Sequence, residues 1–322
     1  MNEFITLIDL KNRMKPGDGA IADVAEVIAK ENPILDDIPW VEGNLITGNT
    51  IYRRSSLPEV VIRKINEGVD SSKSTATPDT DTCVELYTRG DVDMTALELH
   101  DNPAAFIVSE NKAFIAALGE ACVEQFLYGN PNDGIVGISN RYGKLNSGMT
   151  KDQIIDFGGT SGELQSVFII KWDPTEVSGL YPKNTTAGIK TVTKINERIK
   201  AKNGKDMLAH SVDYKWRVGV KVRDYRYISR VCNIPNVIDA STLDVIFRNL
   251  IIAKNRVHNV DKGKVVMYMS PDLYDIVEIA ADEKKNMSLG YKDLEQNVRL
   301  LHYKGIPIRK NDCQKKPEAR IV

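Results

Sequence analysis

Cysteine, histidine, long apolar runs and net charge are all scarce in this 322-residue chain, and each scarcity removes a class of function. The four cysteines, Cys83, Cys122, Cys232 and Cys313, are too widely spaced for a zinc pattern and suggest no disulfide framework, which fits synthesis in a reducing, intracellular setting. The four histidines, His100, His210, His258 and His302, stand alone. None has HxxxH spacing or a neighbouring cysteine, so no metal site and no cofactor is expected. No apolar stretch approaches the roughly 18 residues of a membrane span, so no membrane partner is expected. The first ten residues carry Glu3 and Asp9 without the basic start of a signal peptide. The sequons at Asn184 and Asn286 accordingly read as chance matches. With 43 Lys and Arg against 44 Asp and Glu, the net charge is −1, and no bulk field would hold nucleic acid by electrostatics alone.

What remains is globular: 42% apolar and 27% charged residues, with length for one large or two ordinary domains around a sizeable core. Residues 1–15 and 20–30 carry helical apolar spacing on either side of the breaker Pro16-Gly17-Asp18-Gly19. Residues 50–97 differ from the rest. "NTIYRRSSLPEVVIRKINEGV" reads as extended, with Pro58 confining it to an edge or bulged strand. "DSSKSTATPDTDT" (70–82) is almost wholly polar and is expected to be a mobile tip. "CVELYTRGDVDM" returns as a second strand. The three together predict a projecting arm with too few apolar residues for a core of its own; an ordinary long surface loop is the plainer alternative.

Asp101 or Asn102, followed by Pro103, opens the clearest helix, which Gly129 ends. Phe106, Ala113, Phe114, Ala117, Leu118, Ala121 and Gln125 follow its spacing, and its length is about 40 Å. Residues 134–162 are glycine-rich and irregular. "SVFIIKW" (166–172) and "GKVVMYM" (263–269) read as buried strands. Ser241 is placed as the cap of one helix, and Ser270-Pro271 as the start of another with Leu273, Ile276, Val277 and Ala280 inside. "GIPIRKNDC" and "ARIV" read as short terminal strands. Strands and helices mix without βαβ alternation, so the fold class is α+β.

A search for chemistry finds fragments and no mechanism. "GNLITGNT" (43–50) matches a phosphate-binding loop except that Asn49 stands where lysine must supply charge, and a strand follows it. "GGTSG" (158–162) reads as a loop, and Ser139 in "GISNR" lacks nucleophile-elbow spacing. Asp91 and Asp93 alternate on a strand, as a cation pair or, more simply, a solvated face.

The most pointed stretch is "YKWRVGVKVRDYRYISRV" (214–231). Trp216, Val218, Val220 and Val222 alternate against Lys215, Arg217, Gly219, Lys221 and Arg223, giving one apolar and one basic face. Tyr225 and Tyr227 share the basic parity. Three readings stay open: a solvated face, base stacking on single-stranded nucleic acid, or charge complementarity with an acidic patch on a neighbouring copy.

"WRVGVKVRDYRYISRVCNI", together with "GLYPKNTTAG", resembles a segment of the major capsid proteins of short-tailed, double-stranded-DNA phages of the epsilon type. "RRSSLPEVVIRKINEGV" resembles their extended arm, and "GIPIRKND" with "EARIV" their C-terminus. The order of parts also agrees. The resemblance implies the Hong Kong 97 fold: an N-terminal arm (1–40), an extended loop (41–97), a spine helix of a peripheral domain (98–134), an axial domain (135–300) and C-terminal strands (301–322). It implies a non-enzymatic coat protein that self-associates as hexamers and pentamers of an icosahedral shell in the virion, assembled in the host cytoplasm. Portal and scaffolding proteins, a decoration protein, and packaged DNA held non-specifically would be its partners. No long charged helical extension precedes residue 40, so scaffolding is expected from another polypeptide. Arg53, Arg54, Arg63, Lys64, Arg217 and Arg223 are the candidate subunit-interface residues. The rival function is single-stranded nucleic-acid binding by 214–231; an enzyme with an unrecognised site stands third.

Overall fold

The computed structural model describes residues 32–99, 102–160, 162–236, 240–283, 289–293, 299–315 and 317–322, and the two expected buried strands lie at its centre. Seven strands form one mixed sheet: β4 (Ile154–Asp156), β5 (Leu164–Trp172), β9 (Ile228–Pro235), β10 (Lys264–Met269), β11 (Leu289–Asp293), β12 (Arg299–Tyr303) and β13 (Ile306–Lys310). Their order is β11-β12-β13-β10-β5-β9-β4. Along β5 and β10, alternate residues enter two different cores. Val167, Ile169, Val265, Met267 and Met269 pack with helices α5 (Ala240–Arg256) and α6 (Pro271–Asp282). Phe168, Ile170, Trp172, Val266 and Tyr268 share the other core with the long helix α3 (Pro103–Tyr128). Cover on both faces explains why these strands read as unbroken apolar runs.

A second sheet contains β1 (Trp40–Glu42), β2 (Gly48–Ser56), β3 (Thr75–Asp93), β6 (Val177–Tyr181), β7 (Lys190–Lys200) and β8 (Asp206–Val222), in the order β1-β6-β8-β3-β2 with β7 also on β8. β8 is its axis. β3 lies along Ala209–Gly219 on one edge; on the other, β7 covers Asp206–Lys215 and β6 takes over at Gly219–Val222. Trp216, Val218, Val220 and Val222 are buried as their parity predicts, and they meet α3 in the shared core.

α3 spans 26 residues. Asn102 Oδ1 accepts from the Ala105 N–H at 3.1 Å, Pro103 fills the first turn, and the Gly129 N–H donates to the Gln125 carbonyl at 2.9 Å. Gly129 is required there because a Cβ would stand 2.4 Å from that carbonyl oxygen. The buried face carries Phe106, Leu118, Cys122, Val123, Phe126 and Leu127. Ala113 and Ala117, expected inside, are exposed, since alanine marks helix propensity more than burial. Phe114 is half-buried and stacks on Tyr214, with ring centroids 5.1 Å apart.

Other expectations need correction. Residues 214–231 are not one strand: β8 ends at Val222, and Asp224 accepts from the Arg226 N–H at 2.9 Å to cap a tight 3-10 turn over Tyr225–Tyr227. β9 then enters the other sheet. Ser241 lies in the first turn of α5 rather than ahead of it. "ARIV" is not a strand. The tail is anchored instead by Glu318, which bridges Leu164, and by Ile321, whose N–H donates to Asn233 Oδ1 at 2.9 Å. Glu318 also pairs with Arg230 at 2.8 Å, the side chains 8% and 2% exposed, and accepts from Tyr128 Oη at 2.6 Å. The expected helices within 1–30 and the cap candidate Asp101 lie outside the described residues. β7 was not foreseen.

Candidate assembly surface

The arm is a two-stranded ribbon that outruns the body. β2 pairs with the first part of β3 from Gly48 opposite Thr82 to Ser56 opposite Thr75; the remainder of β3, Cys83–Asp93, pairs with β8. Hydroxyls add to the backbone ladder of the ribbon: Thr50 bonds Thr80 at 3.0 Å, and Thr75 bonds Ser55 at 2.8 Å and Ser56 at 2.7 Å. The polar stretch expected as a mobile tip therefore lies in a ladder from Thr75 onward. Threonine suits this position, because β-branched side chains fit a pleated strand.

The tip is residues 57–74, which have no regular structure. Leu57, Val60, Ile62 and Ile65 there are 77%, 92%, 95% and 92% exposed. The tip's hydrogen bonds are local: Arg63 Nε donates to the Glu67 carbonyl at 2.6 Å, the Lys64 N–H to the Glu67 carboxylate at 3.3 Å, and Ser72 Oγ to the Glu59 carbonyl at 3.0 Å. Apolar side chains this exposed, close together at the end of a projecting ribbon, make the tip a candidate interaction surface.

The six candidate interface cations fall into three places. Arg63 and Lys64 sit on the tip, and Arg54 is exposed on the ribbon. Arg53 turns back to the body, donating to the carbonyls of Val222 and, at 3.1 Å, Arg223, while pairing with Asp79 at 3.0 Å. Arg217 and Arg223 lie on the outward face of β8 and beyond its end. Each has a carboxylate in the same chain: Glu85 at 2.7 Å for Arg217 and Glu176 at 3.4 Å for Arg223. Lys215 lies over the Tyr87 ring at 5.3 Å, and Lys221 Nζ donates to the Pro174 carbonyl at 3.3 Å. Burial pulls the Lys221 ammonium below its usual range. Tyr225 and Tyr227 pack against the core and leave the basic parity when the strand ends.

β7, unseen in the sequence, completes a charge network on the same face. Arg89 pairs with Asp91 at 2.8 Å and Glu197 at 2.6 Å, Lys194 with Asp213 at 3.2 Å, and Tyr87 Oη donates to Asp213 at 2.6 Å. That hydrogen bond, with Lys194 and Arg89 nearby, holds the Asp213 carboxyl below its ordinary range. The hairpin signal Asn203-Gly204 between β7 and β8 would have revealed it. Asp91 and Asp93 both have partners within the chain: Asp91 faces Arg89, and Asp93 caps α2 (Met94–Glu98) by accepting from the Thr95 N–H at 2.8 Å. At the root of the arm, Asp81 is buried and pairs with Arg141 at 2.6 Å; burial still holds its carboxyl above the usual range. Among the described residues no group of His, Cys, Asp and Glu is arranged to hold a metal, and no helix is long and apolar enough to cross a membrane.

This architecture of long helix, two sheets and projecting ribbon has close counterparts. A chain from the near-atomic-resolution structure of bacteriophage Epsilon15 superposes with a TM-score of 0.74 at 26% identity, covering 97% of this chain and 95% of that one. A chain of the bacteriophage JBD30 capsid superposes with a TM-score of 0.51 at 8% identity, over 89% of this chain and 93% of that one; at that identity the likeness speaks for the fold alone. No curated protein sequence matches the chain. The fold is thus α+β of the Hong Kong 97 type. The profile of one family, described as Major capsid protein GP7, matches residues 16–322, and with arm, spine and sheets all inside that span, the chain belongs to the GP7 family of phage major capsid proteins.

Proposed function

We propose that copies of this chain associate as the hexamers and pentamers of an icosahedral shell around a phage genome, with each arm lying on a neighbouring copy. The observation that carries this is the arm tip: Ile62 and Ile65 are 95% and 92% exposed, covered by nothing among the described residues. A segment without a core gains enough to offset its ordering entropy only when a partner covers it. In this reading Arg54, Arg63 and Lys64 contact the neighbour directly, Arg53 acts at the arm's root, and Arg217 and Arg223 serve subunit contacts or a solvated face. Residues 41–97 are the extended loop, 98–134 the spine, 135–300 the axial domain, 301–322 the C-terminal strands, and 1–40 an N-terminal arm. Assembly in the host cytoplasm, portal, scaffolding and decoration proteins as partners, non-specific contact with packaged DNA, and the lack of any catalytic role all follow from the same reading.

Sizing chromatography and negative-stain microscopy of the expressed chain test it. The expected result is a megadalton particle, or hexamers and pentamers that grow with concentration. A species that stays at 35.9 kDa at every concentration and binds short oligonucleotides in a salt-sensitive manner would overturn it in favour of single-strand binding.

A further inference from the structure

The arm leaves the body where β3 changes partners. Its last pair with β2 is Thr82 opposite Gly48, and its first with β8 is Cys83 opposite Gly219. β8 runs on to Val222, beyond the reach of the β3 ladder, with β6 on its far side. Both backbone groups of Val222 are nonetheless bonded on the arm side. Its N–H donates to Asp81 Oδ2 at 3.3 Å, and its carbonyl accepts from the Arg53 guanidinium. One side chain from each strand of the ribbon thus stands where a strand backbone would have continued.

Both side chains are themselves held. Asp81, its side chain 1% exposed, pairs with Arg141 of α4 (Ile138–Arg141) at 2.6 Å. Arg141 is fixed to the body by donating to the carbonyls of Val136 at 2.9 Å and Val220 at 3.4 Å. Arg53 spans the Arg223 carbonyl at 3.1 Å and Asp79 at 3.0 Å. Gly48 closes the arrangement: with φ of +155°, it brings β2 so near that a Cβ would stand 2.1 Å from the Asp81 carbonyl oxygen. A two-stranded ribbon on its own is marginal and twists freely. A planar guanidinium and a buried carboxylate supply direction, which such pairs specify better than they stabilise.

We propose that Asp81, Arg141 and Arg53 are the positioning latch that fixes the angle at which the arm leaves the body, and hence the direction in which it is offered to a neighbour. The consequence for assembly rests on the coat-protein reading; the latch itself belongs to the isolated subunit. The two are tested apart by placing nitroxide labels at Ala76→Cys on the exposed face of the ribbon and Lys262→Cys on the body in a Cys83→Ser background, the three remaining cysteines being buried. Pulsed electron resonance on unassembled subunits should give one narrow distance. Asp81→Asn, which keeps the shape but turns one of two acceptor oxygens into a donor facing Arg141 or the Val222 N–H, and Arg53→Gln, which empties the other side, should each replace that peak by a broad distribution while the circular dichroism of the body is retained. If Asp81→Asn does not fold, the more exposed Arg53→Gln decides alone. A narrow peak at the wild-type distance in a folded variant overturns the latch and leaves the coat-protein reading standing. Wild-type subunits that hold the narrow distance yet never associate overturn the coat-protein reading and leave the latch.

Discussion

The seven-stranded sheet and the arm tip are built from the same apolar residue types and use them in opposite ways. Every residue of β5 is buried, and its Val, Ile and Phe side chains are divided between two cores. Leu57, Val60, Ile62 and Ile65 form a comparable set and are covered by nothing. Burying one such side chain contributes about 1.5–3 kcal/mol. In the sheet that gain is realised within one chain; in the tip, on the proposed function, it is realised only against a neighbouring copy. Apolar content alone therefore does not tell a core from an interface. What separates them here is whether the chain supplies a second layer.

If that division is right, substitutions in the body should cost the isolated subunit most, and those in the arm least. The largest effect is expected at Phe126 on α3, which is fully buried and touches Trp40 edge-on at a centroid distance of 5.7 Å. Phe126→Ala should cost about 3–5 kcal/mol, and Leu118→Ala about 2–5 kcal/mol, read as a lower denaturant midpoint. A soluble Phe126→Ala subunit with an unchanged midpoint would show that the spine is not part of the body's core.

Next comes the tail anchor. Glu318→Gln leaves Arg230 buried without a counter-charge, though the amide oxygen can still accept and Arg230 still donates to the carbonyls of Ser139 at 3.0 Å and Tyr142 at 2.9 Å. The expected loss in chemical unfolding is about 3 kcal/mol, the lower end for breaking a buried pair. An equal loss on deleting residues 319–322 alone would assign the stability to the tail's backbone contacts instead.

Arg217→Glu with Arg223→Glu should cost the subunit about 1 kcal/mol or less per site, because both pairs are exposed and solvent screens them. The double variant should therefore fold. Slowed or misdirected assembly would place these residues at subunit contacts, where a like charge opposite an acidic partner costs several kcal/mol. Normal shells that retain less DNA would place them toward the genome, and normal shells with normal packaging would leave only a solvated face.

The elements legible in the sequence are those whose environment is local or uniform. α3 announced itself by Asn102, Pro103 and Gly129, all of which act within one turn of the helix ends. β5 and β10 were legible because cover on both faces leaves the runs Val167–Ile170 and Val265–Met269 without a polar residue to confuse the pattern. The parity of β8 held while the strand lasted and failed at Asp224, whose side chain caps a turn that alternation cannot reveal. The arm was legible as an arm, but its parts were exchanged: polarity was equated with mobility, whereas Thr75–Thr82 bond across the ribbon and the apolar residues 57–69 do not. The root of the arm stayed hidden because Arg53, Asp81, Arg141 and Val222 are far apart in sequence and meet only once both sheets have formed.

Acid should not release the arm through Asp81. Burial raises the Asp81 carboxyl above its usual value of 3.8 and outweighs Arg141 on α4 and the Val222 N–H, which both lower it; Asp79 on its own strand, itself paired with Arg53 on β2, adds to the rise. The folded state thus holds this proton more tightly than the unfolded chain. The stability this group contributes is complete below the ordinary value and is lost as pH rises through the raised one. Acidification therefore favours the closed root through this group, because an Asp81 released into water would hold its proton less tightly. The label distance should therefore stay narrow in acid until the body itself unfolds; broadening at a higher pH than body unfolding would mean that the charge on Asp81, and not its burial, sets the equilibrium at the root.

The smallest effect on the subunit, and the sharpest use of the comparison, is expected at the tip. Ile62→Ser with Ile65→Ser changes two side chains that touch almost nothing in their own chain, so the unfolding midpoint should move by no more than about 0.5 kcal/mol equivalent. Assembly should respond in the opposite sense, because these are the side chains a neighbour must cover. Each lost burial removes about 1.5–3 kcal/mol from every arm contact, and a shell repeats that contact in all of its subunits. Sedimentation should then show subunits or small oligomers in place of particles. The same pair of substitutions at Val167 and Ile169 in β5 should give the reverse: unfolded subunits, with no assembly to measure. If the tip variant forms particles as readily as wild type, the exposed apolar cluster is not a contact between copies, and the contrast between tip and sheet loses its meaning.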